Sequence, residues 1–194
     1  MPDGAKGELD KVAQAVIRVA GRTMRWDAAA RAVVDATRSR GALEAAMLEA
    51  LEDAARKASG WDAVTFAMAS LVAADTESGG GLAPELARDL ESQIAVWHRK
   101  RRGDPAEAEA AYARALAYDP ANATLLAELA SLQRRAKGRP LVESLLRLSQ
   151  ATGGDLDLLS EAADVALGSV GDRALARSIF DRLLKLAAER WLGT

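Results

Sequence analysis

Apolar positions along this chain recur at helical spacing, in segments of about 13 to 18 residues separated by glycine, proline or aspartate at regular intervals. Ala108, Tyr112 and Ala115 share one face, at steps of four and three residues. The triplet returns 34 residues later as Val142, Leu146 and Ser149, and after 34 more as Ala176, Phe180 and Leu183. Upstream, Val64, Met68 and Leu71 fit the same template, as do Ala29, Val33 and Ala36 at 35 residues before them. The intervening segments repeat too: Leu90, Ile94 and Trp97 correspond to Leu125, Leu129 and Leu132, then to Leu158, Ala162 and Val165. No run alternates apolar and polar residues with β-branched enrichment, so no strand is expected.

This pattern predicts an all-α fold of ten helices in about five antiparallel pairs, near 7–39, 42–75, 84–118, 121–151 and 155–190, within a single domain spanning 1–194. The step from Val64 to Ala108 is longer, at 44 residues, which places a loop insertion at 76–83. Pro84, Pro105 and Pro140 fall in first helical turns, where a missing amide costs no bond. Asp104 and Asp172 each follow a glycine and are positioned to cap the next helix. Trp26-Asp27-Ala28 and Trp61-Asp62-Ala63 are the same tripeptide, and each tryptophan is read as a packing anchor opening a second helix.

Composition refines this. Hydrophobic residues make up 49% of the chain but aromatics only 4%, and much of the remainder is alanine, which favours helix and close approach but offers little area to bury. Thin stacked layers suit such a sequence better than one thick core. The formal charge of −2 gives no overall field toward nucleic acid or anionic lipid. With no cysteine and one histidine, thiolate chemistry and cysteine-based metal sites are excluded, and no cofactor or metal is expected. No secretory signal and no apolar run of membrane-spanning length is present, so a cytoplasmic location is expected.

The segment Gly103-Asp104-Pro105-Ala106-Glu107-Ala108, continuing through Tyr112, Ala115 and Asp119-Pro120-Ala121-Asn122-Ala123, resembles the second helix of a tetratricopeptide repeat, with Ala108, Tyr112, Ala115 and Pro120 on its small–aromatic–small–proline positions. The following units are degenerate: Val142, Leu146 and Ser149 keep size and polarity, and Gly153-Gly154 replaces the proline. The resemblance covers about 84–190, and 7–75 by period and tryptophan anchors alone. It implies a right-handed helical-repeat solenoid whose first helices line a concave groove, and an adaptor or scaffold that binds a peptide or helix there without catalysis. Thr124, Ala127, Glu128, Ser131 and Arg135 do not form the family's carboxylate clamp.

Groove contacts taken from the non-core face of the first helices are Gln93, Lys100, Glu128, Ser131, Arg135, Asp157 and Asp164, a row grading from basic to acidic. No catalytic residue is assigned. His98 lies on the border of a packed face, and no second histidine or cysteine completes a relay. Ser78-Gly79-Gly80-Gly81 lacks Walker spacing and reads as a flexible linker. Arg99, Arg101, Arg102, Arg134, Lys137 and Arg139 form a basic edge that suits helix C-termini electrostatically, at roughly 0.3–1 kcal/mol each. Two alternatives to the adaptor remain: weak nucleic-acid binding along that edge, and an architectural role. The second rests on the apolar end of the last helix (Leu183, Leu184, Leu186, Trp191, Leu192), which suggests a homo-oligomer or a longer parent chain.

Overall fold

The computed structural model describes the backbone of residues 3–192 and the side chains of 11–192. It is all-α. Ten α-helices occur among the described residues, with no strand: α1 Asp3–Arg22, α2 Trp26–Arg40, α3 Ala45–Ala58, α4 Trp61–Ser78, α5 Pro84–Trp97, α6 Pro105–Tyr118, α7 Ala123–Gln133, α8 Arg139–Ala151, α9 Leu156–Val165 and α10 Arg173–Leu192. The chain divides into two compact units, residues 1–118 and 119–194.

Two junctions use one device. α5 and α9 each continue into a wider π turn, His98–Arg102 and Ala166–Val170, closed by Gly103 (φ +65°) and Gly171 (φ +74°) in the left-handed conformation. The carbonyls of His98 and Ala166 accept from the amides of Asp104 (3.0 Å) and Asp172 (2.9 Å). These two aspartates then cap α6 and α10 through the amides of Glu107 (3.1 Å) and Leu175 (2.9 Å). A glycine that reverses the chain and an aspartate that restarts it are therefore one structural word, as their adjacency in sequence suggested.

In the first unit α1 packs on α2 and α3, α2 on α4, α4 on α5, and α5 most extensively on α6. Ile17, Met47, Leu51, Met68, Leu90, Ile94, Trp97 and Tyr112 are buried completely or nearly so. Each such side chain contributes roughly 1.5–3 kcal/mol by leaving water. In the second unit α7, α8, α9 and α10 pack in chain order around Leu141, Val142, Leu145, Leu159, Ala162, Ala163 and Ile179. Template positions Ala36, Leu71, Leu146, Phe180 and Leu183 are only half-buried, whereas Val34, Val72 and Leu145 face inward. The buried face is rotated slightly from the triplet register.

Three expectations change. The first helix of the pair expected near 121–151, read as reaching 137 before the glycine at 138, ends at Gln133, because the Gln133 carbonyl takes the amides of Ala136 (3.0 Å) and Lys137 (3.1 Å) while Lys137 adopts φ +47°. Arg135 and Lys137 therefore sit in a turn, not on a helix. α4 runs on to Ser78, where the Ser78 hydroxyl donates to the Ala74 carbonyl at 2.7 Å, so the loop is 79–83. That loop is not a featureless linker: Asp75 accepts from the Leu82 amide at 2.9 Å and also pairs with Arg38 of α2. A Cβ on Gly80 would lie 2.3 Å from the Asp75 carboxylate.

Candidate functional site

The first-helix residues chosen from sequence fall in different surroundings in each unit. In the first unit, Gln93 is half-buried and its amide donates to Glu52 of α3 at 3.4 Å. Glu52 is the hub of a tight cluster, accepting from Trp97 Nε1 at 2.8 Å and from Arg101 at 2.9 Å. Arg101 also stacks over the Trp61 ring at 5.4 Å, and Trp61 tilts against Trp97 at 6.1 Å. This cluster ties α3, α4 and α5 together, with Gln93 half-buried and Arg101 exposed, each bonded to Glu52. Lys100 is exposed on the π turn.

In the second unit the exposed face of α7 presents Thr124, Ala127, Glu128 and Ser131 at one-turn spacing. With Leu148, Thr152 and Leu158 they line an open depression of about 580 Å³. The opposite face of α7 is anchored by buried Leu125, Leu126, Leu129 and Ala130. A second depression, of about 440 Å³, is lined by Asp157, Ser160, Glu161 and Asp164 of α9, with Lys137 and Ser169. Glu128 and Ser131 thus come together, as do Asp157 and Asp164, while Arg135 is exposed in the turn after α7.

The basic residues are heavily paired. Arg101 meets Glu52, Arg102 meets Asp62 and Asp104, Arg134 grips Glu161 through two bonds of 2.8 and 2.9 Å, and Arg139 meets Asp172 at 2.6 Å. The bond from Arg134 holds the Glu161 carboxyl below the usual carboxylate range, and Glu161 in turn raises Arg134. These pairs join turns to neighbouring helices, which leaves far less free cation for a phosphate backbone than sequence implied.

Three features go beyond what the sequence pattern marked. His98 is 5% exposed; burial, then the neighbouring Arg102 guanidinium, pushes its pKa below the ordinary histidine value. Glu91 of α5 is buried and takes bonds from Arg114 of α6 at 3.0 and 2.9 Å, yet burial outweighs the arginine and raises its carboxyl. Phe66 of α4 is 76% exposed. Glu91 adjoins the apolar position Leu90, a signal too weak to mark a buried carboxylate without knowledge of what lies across from it. Among the described residues no group of three or more histidine, cysteine or acidic side chains is placed to hold a metal ion. No helix among them is long and apolar enough to cross a membrane.

Comparison with known proteins gives little beyond this. No family model matches the chain. No curated protein matches it. Among solved structures, the crystal structure of MamA protein is similar, with 14% identity, 92% of each chain covered and a TM-score of 0.46.

Proposed function

We propose that this chain is a protein-interaction scaffold that holds a peptide or helix against the exposed face of its first helices, above all α7 and α9 of the second unit. The observation that carries this reading is the α7 surface: Thr124, Ala127 and Ser131 stand exposed at one-turn spacing on a helix fixed by its buried leucines. Small side chains there let a partner's backbone approach closely, and a rigid helix loses little freedom when it binds. The resemblance to tetratricopeptide repeats supports the same face as the binding face, and Glu128, Asp157 and Asp164 beside it favour a partner with basic side chains.

The test is to fill the depression. A photo-crosslinking residue at position 127 identifies the partner, and its affinity is then measured for the wild type and for Ala127→Trp with Ser131→Trp. Affinity is expected to fall about tenfold or more, with the melting temperature close to that of the wild type because both positions are exposed. Unchanged affinity removes this face from the function. A second reading, self-association, is favoured by the exposure of Leu184 (64%) and Leu192 (79%) on α10. Light scattering that gives a mass above one chain, restored to one chain by Leu184→Glu, would support it.

A further inference from the structure

Successive second helices of the first unit behave differently. α2 packs against α4, but α4 does not pack in the same way against α6. The two run in parallel and are bridged near their ends. At one end Arg102 reaches both Asp62 and Asp104, and at the other the hydroxyls of Thr76 and Tyr118 are 2.8 Å apart. Between the bridges lies an open cleft of about 680 Å³. Its α4 wall carries Phe66, Ala69 and Ala73, and His98 and Arg102 reach it from the π turn. It lies among second helices of the first unit, whereas the proposed first-helix face is on α7 and α9.

Two observations say what this cleft can hold. The first is a hydrogen-bond donor that lines the cleft. Arg102 Nη1 is 2.5 Å from His98 Nδ1. Arginine only donates, so Nδ1 is the acceptor and the ring proton sits on Nε2. His98 is 5% exposed and lines the cleft, and no buried side-chain nitrogen or oxygen among the described residues lacks a partner, so an Nε2–H without a protein acceptor is one that solvent in the cleft reaches. The cleft therefore presents an imidazole donor that an acceptor in the cleft can reach. The second observation is charge. Arg114 is committed to buried Glu91, which leaves Asp62, Asp104 and Glu107 facing Arg102 alone. The rim carries an excess of carboxylate beside the exposed Phe66 ring.

We propose that the cleft between α4 and α6 is a second docking site, for an extended segment of a partner protein that carries a basic side chain next to an aliphatic one. The aliphatic side chain covers Phe66, Ala69 and Ala73, the basic one reaches Asp62 and Glu107, and a backbone carbonyl of the segment accepts from His98 Nε2. The α4 wall from Asp62 to Ala73 is roughly 16 Å long at 1.5 Å per residue, which accommodates about five extended residues at 3.3 Å each. The neutral imidazole is maintained by its burial and by Arg102, so the donor is present at neutral pH.

The single histidine of the chain makes the test unambiguous. The full chain is titrated with a capped hexapeptide of alternating leucine and lysine, and the imidazole signals are followed by NMR. Control peptides replace every lysine with glutamate or every leucine with serine. The leucine–lysine peptide is expected to move the histidine signals saturably, and each control to bind about tenfold more weakly or worse. Phe66→Ser, at an exposed position, should weaken binding by a similar factor, and Glu107→Lys should invert the preference between lysine and glutamate peptides. Ala127→Trp with Ser131→Trp should leave the titration unchanged. Histidine signals that stay fixed at millimolar peptide overturn the proposal, as do shifts that are equal for the glutamate peptide or unaltered by Phe66→Ser.

Discussion

Gly60 is the residue before α4, and its φ of −94° is one that any amino acid adopts. Backbone strain is therefore no reason for glycine here; space is. A Cβ at this position would lie 2.3 Å from Cζ2 and 2.6 Å from Cε2 of Trp26, the tryptophan that opens α2 and is 7% exposed. An ordinary carbon–carbon contact is about 3.5–4.0 Å, so Gly60→Ala forces the indole back by roughly 1.2 Å or moves the α3–α4 turn. Overpacking of this kind costs about 1–3 kcal/mol. Reduced freedom of the unfolded chain offsets about 0.4–1 kcal/mol of that, which leaves a net loss of about 1.3 kcal/mol at the middle of both ranges. Urea denaturation followed by circular dichroism, run on Gly60→Ala, Trp26→Leu and the double variant, isolates the clash as a coupling energy. The double variant should be more stable than the sum of the two losses predicts, by about 1 kcal/mol or more. A Gly60→Ala protein as stable as the wild type, or an equal loss in the Trp26→Leu background, would refute the packing argument.

Three further outcomes follow from particular side chains. The imidazole of His98 should titrate below the ordinary histidine value, and because its folded pKa is depressed, it contributes stability above pH 6.5 that is lost as pH falls toward the folded pKa. Comparing urea midpoints of the wild type and His98→Gln across that interval checks this, and an identical pH response of the two would contradict it. Glu91 has the opposite sign: its raised carboxyl favours the protonated form in the folded state, so stability falls as pH rises through its folded pKa. Glu91→Gln should flatten that fall, whereas Glu91→Ala leaves Arg114 without its buried partner and should lower stability at every pH. Asp155 accepts from the amides of Asp157 (2.9 Å) and Leu158 (3.3 Å) at the start of α9, so Asp155→Ala should cost about 0.5–2 kcal/mol. Asp157→Ala, which removes an exposed carboxylate, should change stability far less, and thermal melts of both variants decide the matter.

Helices were legible where a single periodic face faces a single core. The steps of four and three that join Ala108, Tyr112 and Ala115 lie on a buried face because nothing else can be done with them in water. Helix ends marked by glycine then aspartate were legible as well. The end of α7 was not, since Arg134 to Lys137 contains no breaker and the left-handed residue is a lysine. The two tryptophan tripeptides show the limit of local pattern: Trp26 packs on Gly60, while Trp61 is half-buried beneath Arg101. Their environments are set by residues 34 or more positions away. The same is true of Glu52, whose bond to Trp97 spans 45 residues of chain. On the proposed binding face, exposure and spacing on α7 were readable, but Gln93, at the matching position of α5, is half-buried and bonded to Glu52. The α4–α6 cleft is a contact that is not made, and a periodic sequence carries no mark of it.

Hydrogen exchange of the complex with its crosslinked partner tests the scaffold reading most directly. Slowed exchange is expected to concentrate in 123–137 and 156–166, which hold α7 and α9, the helices whose exposed faces line the two depressions of the second unit. Protection confined to α10, with α7 and α9 exchanging as in the free chain, would contradict it.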